Sequence, residues 1–195
     1  MNNSLKQDRE KLKLFKKFGY EIPKARKEVV LKAGLTGKIL DVGTGRGHLA
    51  VALAKKGLKV VSIDMDGKAQ QAARANLKVL GLSKQVTLKI MNAERLSYKD
   101  SSFDGVISVN FLHHARNPLK CVKEMVRVTK NILVLVDLNK KGERIMDKVH
   151  ALEGHSHPGG KISFKSLGVF LKKSGMRVKM RRNNCETVLI ARKGE

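Results

Sequence analysis

From residue 37 onward, short β-rich runs alternate with stretches whose apolar residues recur at helical spacing. The runs cover 38–42, 59–63, 86–90, 105–109 and 132–136. Helical pattern fills about 47–56, with Gly57 where a left-handed cap residue belongs, and about 67–80, closed by Gly81. In the second of these helices Ala69, Ala72, Ala73, Leu77 and Leu80 share one face, and Asp66 stands at the N-cap. Asn117-Pro118 reads as an N-cap followed by proline at the first helical position, with Leu119, Val122 and Val126 continuing one face. Strands joined through helices need crossover connections, and crossovers make a parallel sheet. The fourth and fifth runs are almost continuously apolar, the composition of strands covered on both faces.

The last third of the chain changes period. A helix over 165–174 carries Leu167, Phe170 and Leu171 on one face. Met176, Val178 and Met180 then alternate with Arg177, Lys179 and Arg181, the period of a half-exposed strand at a sheet edge. A final run, 186–191, follows so soon that the two strands should form an antiparallel hairpin. The pattern predicts an α/β fold: a Rossmann-like, mostly parallel seven-stranded sheet with an antiparallel C-terminal hairpin and helices on both faces. Residues 1–36 form a separate helical segment, interrupted by Pro23 and packed through Leu12, Phe15 and the Gly19-Tyr20 loop. Lying just before the first strand, it is expected to act as a lid or cap on a main domain of 37–195.

The 195 residues, 42% of them hydrophobic, suffice for one domain with a substantial core. The first ten residues are polar and charged, with no apolar region behind them, so no secretory signal is visible. The longest apolar run, 132–136, falls far short of the roughly 20 residues that a bilayer demands. Cys121 and Cys185 read as buried thiols rather than a disulfide. A cytoplasmic protein with no membrane span is expected. The formal charge of +24 raises affinity for any polyanion but says nothing about the fold. It concentrates in 11–17, 24–27 and 177–182, and reads first as a solubilising lysine-rich surface.

Candidate chemistry sits where the first run ends. Ile39-Leu-Asp-Val-Gly-Thr-Gly-Arg-Gly-His48 joins a strand to a helix through three glycines, which let a ligand lie against bare backbone. Free N–H groups at the helix start attract polar or anionic ligand groups. The dinucleotide spacing G-x-G-x-x-G/A fails, because its last position falls on His48. The spacing is D-x-G-x-G-x-G instead, and Asp64 closes the second run, where an ionised carboxylate can accept from two hydroxyl donors at once.

This pattern resembles the class I S-adenosylmethionine-dependent methyltransferases. Asp41 to Gly47 looks like their first motif and Asp64 like their ribose-binding acid. Asn92-Ala93-Glu94, Asp100-Ser-Ser-Phe-Asp104 and Val109-Asn-Phe-Leu-His-His114 follow in the family's order. The resemblance covers about 36–137 and is closest to small-molecule methyltransferases of the quinone-biosynthesis type. It implies S-adenosylmethionine as cofactor, held by Asp41, Gly43, Thr44, Gly45, Gly47, Asp64, Met65, Asn92, Ala93, Asn110 and Phe111. Asp41 would orient the methionine end. Asn92 departs from the family's usual acid, yet its side-chain carbonyl can still accept from the adenine amino group.

Two histidine pairs are candidates for proton transfer. His155 and His157, in the small polar loop over 153–160, are the expected base or substrate contacts. Without a neighbouring Cys or Asp they make a poor metal set, and no metal is expected. His113 and His114 read first as locally packed and hydrogen-bonded. The leading function is methyl transfer to a small molecule by in-line displacement, which needs a base only where the acceptor must lose a proton. No Asn/Asp-Pro-Pro-aromatic motif follows the fourth strand, which argues against exocyclic amino groups of bases. The basic surface keeps an RNA methyltransferase as the alternative, and a non-catalytic adaptor as another, since a fold does not guarantee activity.

Overall fold

The computed structural model describes residues 3–152, 154 and 163–194. Its strands are β1 (Lys38–Val42), β2 (Lys59–Asp64), β3 (Val86–Ile90), β4 (Phe103–Val109), β5 (Thr129–Leu138), β6 (Met176–Arg182) and β7 (Glu186–Lys193). They form one seven-stranded sheet in the order β3-β2-β1-β4-β5-β7-β6. The four pairings from β3 to β5 are parallel, while β7 runs antiparallel to both β5 and β6, as the alternation predicted. The chain travels outward from β1 to β3 and then returns to β4 beside β1. That reversal opens a crevice at the carboxyl ends of β1 and β4, where open α/β sheets bind ligands.

The helices are α1 (Asn3–Lys17), α2 (Ile22–Ala33), α3 (His48–Lys55), α4 (Gly67–Val79), α5 (Pro118–Val128), α6 (Lys140–Leu152) and α7 (Phe164–Lys173), with a 3-10 turn at Leu112–His114. The two-residue period of the strands divides the core into two layers. Ile39, Val60, Ile107, Val134 and Val136 meet α2, α3 and α4 through Val29, Val30, Leu49, Leu53 and Leu77. Leu40, Val42, Val106, Leu133 and Leu135 face the other way, onto Val122 and Met125 of α5 and Leu167 and Leu171 of α7. Each such aliphatic side chain contributes about 1.5–3 kcal/mol by leaving water, so the two layers anchor the sheet from both faces. A third cluster joins Phe15, Tyr20 and Ile22 to Ile145 and Val149 of α6 and to Cys185.

Several local expectations change. Pro23 does not interrupt a helix; the break falls at Gly19 and Tyr20, and Pro23 sits in the first turn of α2, where its missing N–H costs nothing. α6 lay outside the sequence reading, because its charged sequence shows only Ile145 and Val149 as a buried stripe around Gly142. Leu80 and Leu119 are exposed: the buried faces of α4 and α5 are Gln70, Ala73 and Leu77, and Cys121, Val122, Met125 and Val128. Asp66 caps α4 as expected, accepting from the Lys68 amide at 2.8 Å. Along β6, Met176 is buried and Met180 is 49% exposed, so this strand leaves the core as it proceeds along the open edge. Among the described residues, no helix is long and apolar enough to cross a membrane.

Candidate active site

The sheet register sets Asp41 of β1 beside Ser62 of β2, and both are fully buried. Ser62 Oγ donates to Asp41 Oδ2 at 2.7 Å. That leaves Thr44 Oγ1, 2.7 Å from Ser62 Oγ, as the donor to serine, and Gln70 Nε2 in turn donates to Thr44 Oγ1 at 3.1 Å. The result is a one-directional chain of donors from α4 to the carboxylate. Burial pushes the Asp41 carboxyl up to about 7; the Ser62 hydrogen bond opposes that rise, and the nearby Asp64 charge adds to it. Asp41 Oδ1 is buried with no hydrogen-bond partner among the described residues.

The glycine turn is held from β2. The Gly43 and Thr44 amides donate to the Ile63 carbonyl at 2.9 and 3.0 Å, and the Gly45 amide donates to Asp64 Oδ2 at 2.9 Å. Asp64 Oδ1 accepts from the Asp66 amide at 3.0 Å. A carboxylate has about four acceptor positions, so Asp64 keeps capacity for two hydroxyls while bracing the turn. Gly43 is obligatory: its φ is +93°, and a Cβ there would stand 2.6 Å from the Phe111 Cβ. Gly47, at φ +82°, begins α3 against Ala73, where a Cβ would approach to 3.0 Å.

At the end of β4, Asn110 takes a left-handed φ of +53°. Its Nδ2 donates to the Tyr20 hydroxyl at 2.9 Å, while its Oδ1 is buried and lacks a partner among the described residues. Tyr20 donates to Glu186 Oε1 at 2.6 Å, and the Arg26 guanidinium meets the same oxygen in a buried ion pair. Burial, opposed only in part by Arg26, raises the Tyr20 hydroxyl well above its ordinary value, so it remains a donor. The N-terminal segment is thereby latched to the crevice. It also reaches the glycine turn through Asp8, which lies 3.5 Å from Arg46 Nε and 3.2 Å from His48 Nε2.

The remaining predicted residues are placed less uniformly. Met65 is exposed beside Asp64, and Ala93 is buried in the core with Leu96. Asn92 is exposed at the end of β3, with Oδ1 accepting from the Glu94 amide at 2.8 Å. His155 and His157 lie outside the described residues. Ser62, Gln70, Tyr20, Arg26 and Glu186 join these residues through hydrogen bonds, and His113 Nδ1 lies 2.5 Å from Asp137 Oδ1. Asp137 had a visible signal, being an acid that ends the apolar run of β5 at the ligand-binding edge. A cavity of about 910 Å³ opens away from this edge, between α1, α2, α3 and α4, and touches the glycine turn's neighbourhood at His48.

The buried oxygens of Asp41 and Asn110, without partners among the described residues, lie on β1 and just after the neighbouring β4, a pair of acceptors suited to the cationic methionine end of S-adenosylmethionine. Asp64 suits its ribose. The family model described as a methyltransferase domain matches residues 40–135. A ubiquinone biosynthesis O-methyltransferase of Alkalilimnicola ehrlichii is 37% identical over 99 residues, 50% of this chain and 39% of that protein. Norajmaline N-methyltransferase of Rauvolfia serpentina is 32% identical over 91 residues, 46% of this chain and 31% of its own length. The chain thus spans well under half the length of these curated relatives. The crystal structure of magnesium protoporphyrin IX methyltransferase from Synechocystis, with bound S-adenosylhomocysteine, superposes with a TM-score of 0.67 at 21% identity, covering 89% of this chain and 82% of that one. Motif, topology and relatives agree: residues 40–135 match the methyltransferase domain family, and the chain has the fold of the class I S-adenosylmethionine-dependent methyltransferases.

Proposed function

We propose that the chain moves a methyl group from S-adenosylmethionine to a small-molecule acceptor by in-line displacement. The observation that carries this reading is the switch-point crevice, where Asp41 and Asn110 present buried oxygens still in need of donors. Asp41 and Asn110 hold the methionine end, Gly43, Thr44, Gly45 and Gly47 give it bare backbone, and Asp64 takes the ribose hydroxyls. Met65, Asn92, Ala93 and Phe111 surround the adenosine. The cofactor supplies an activated methyl on a sulfonium, and the chain supplies orientation and exclusion of water, which are worth several kcal/mol of the barrier. The hydrogen bond between Asn110 and Tyr20 supports reading the N-terminal segment as a cap over this edge. Both curated relatives are named for small molecules or their biosynthesis, which favours this reading over RNA and over an adaptor.

The test is calorimetric titration with S-adenosylhomocysteine, with Asp64→Ala as control and NAD as a competing ligand. Micromolar binding, weakened at least 10-fold in a variant that melts like the parent and absent for NAD, is expected. No binding to the parent chain would end the reading.

A further inference from the structure

We propose that the hollow between α1, α2, α3 and α4 is a binding site for a small amphipathic anion, a carboxylate carried on an apolar body. Its volume is about 910 Å³, and none of Asp41, Gly43, Asp64, Asn110 and Phe111 lines it, so it is distinct from the cofactor crevice. Pockets that enclose a small ligand run to about 300–1,000 Å³, so one such molecule fits inside.

The walls are apolar where a helix surface facing water is ordinarily polar. Leu31 of α2 and Val79 of α4 are 58% and 61% exposed, and Leu80, directly after α4, is 47% exposed. Leu12 of α1, Val30 of α2 and Val51 of α3 line the same hollow. Apolar side chains scattered singly over a surface are ordinary, whereas a set gathered in one concavity is what the apolar body of a ligand covers.

The rim selects the sign of the ligand. Lys27 lies one turn before Leu31 on α2 and Lys55 one turn after Val51 on α3, so each helix sets an ammonium at one end of its apolar patch. Lys56 Nζ donates to the Val30 and Leu35 carbonyls at 3.4 and 3.3 Å, which ties the end of α3 to the end of α2 on this basic side. Asp8 is the only carboxylate on the lining among the described residues. It is 6% exposed and lies 3.5 Å from Arg46 Nε and 3.2 Å from His48 Nε2, so its charge is answered within the fold. An anionic head at the rim meets the lysines with no unanswered acid beside them, and a cationic head meets repulsion. The lining comes from four helices around one volume, the geometry of a single enclosed molecule rather than of a flat lipid surface.

The probe is decanoate below its micelle concentration, titrated calorimetrically into the whole chain, with hexanoate, octanoate and decyltrimethylammonium for comparison. Decanoate should bind with a micromolar Kd, and each two-carbon extension of the series should tighten binding roughly 10-fold, as buried methylenes do. Decyltrimethylammonium should bind at least about 10-fold more weakly than decanoate. In NMR spectra the shifts should centre on Leu12, Leu31, Val51 and Val79. Val79→Glu, and Lys27→Glu combined with Lys55→Glu, should each weaken decanoate binding at least about 10-fold. All three positions are exposed, so both variants should melt like the parent. No binding of decanoate to the parent, a cation bound as tightly as the anion, shifts centred on Gly43, Asp64 and Asn110, or unchanged affinity in both variants overturns the assignment. A chain that ignores free decanoate and floats only with phosphatidylglycerol vesicles overturns it too, and makes the hollow part of a lipid-facing surface. The separate titration with S-adenosylhomocysteine decides the methyltransferase reading, so either can fail while the other stands.

Discussion

The two halves of the ligand edge are built by different means. Over β1 and β2, Asp41, Thr44, Gly45, Ser62, Asp64 and Gln70 satisfy one another across one β-α-β-α unit, with hydrogen bonds spanning 18 to 26 positions. Over β4, β5 and β7, Tyr20 and Arg26 reach Glu186 across 166 and 160 positions, and Asn110 reaches Tyr20 across 90. The first half can form once a short segment has folded. The second exists only when both ends of the chain have docked. The second half should therefore be the more sensitive to substitutions far from the chemistry, and the cofactor half to substitutions in its own turn.

The sharpest way to break this contrast is Glu186→Ala, which leaves Arg26 buried and unpaired. A loss of about 3–5 kcal/mol is expected in urea unfolding, whereas a loss under about 1 kcal/mol would show that the long-range network is passive. The next effect tests the cofactor half through pH. Burial holds Asp41 at about 7 against the ordinary 3.8 of an aspartate, so the folded chain keeps a proton that the unfolded chain has released. The stability from this protonated form is complete below about pH 4 and is lost as pH rises through 7, a fall of about 2–4 kcal/mol. Asp41→Asn should flatten that slope, and an unaltered slope would place its origin elsewhere. Smaller, at about 2 kcal/mol, is Gly43→Ala, which meets both a positive φ and the Phe111 ring. It should also weaken S-adenosylhomocysteine binding, and it should leave the Tyr20 latch intact by hydrogen exchange.

The same contrast explains what could be read from the chain beforehand. The parallel sheet, the β6–β7 hairpin, the glycine turn and Asp64 are legible because each is carried by residues close in sequence: a two-residue period, a cap, a strand ending in an acid. The Asp66 cap was legible for the same reason. Arg26 and Glu186 were not, because nothing in KARKE or NCETV distinguishes a buried charge from a surface one until the two meet. α6 escaped because its two-residue apolar stripe is too sparse to stand out from a charged helix. Asn92 shows a subtler limit: its carbonyl was legible as an acceptor, but its hydrogen bond to the Glu94 amide is a local turn that competes for the same oxygen.

β6 carries a last consequence. A strand with one unpaired side is a template on which a second copy can add its own β6. Here the exposed run of Arg177, Lys179, Arg181 and Arg182 would have to face an identical row across a gap of about 4.8 Å. Like charges at that spacing repel until salt screens them, so the edge guards itself against pairing with a second copy at low ionic strength and loses that guard as salt rises.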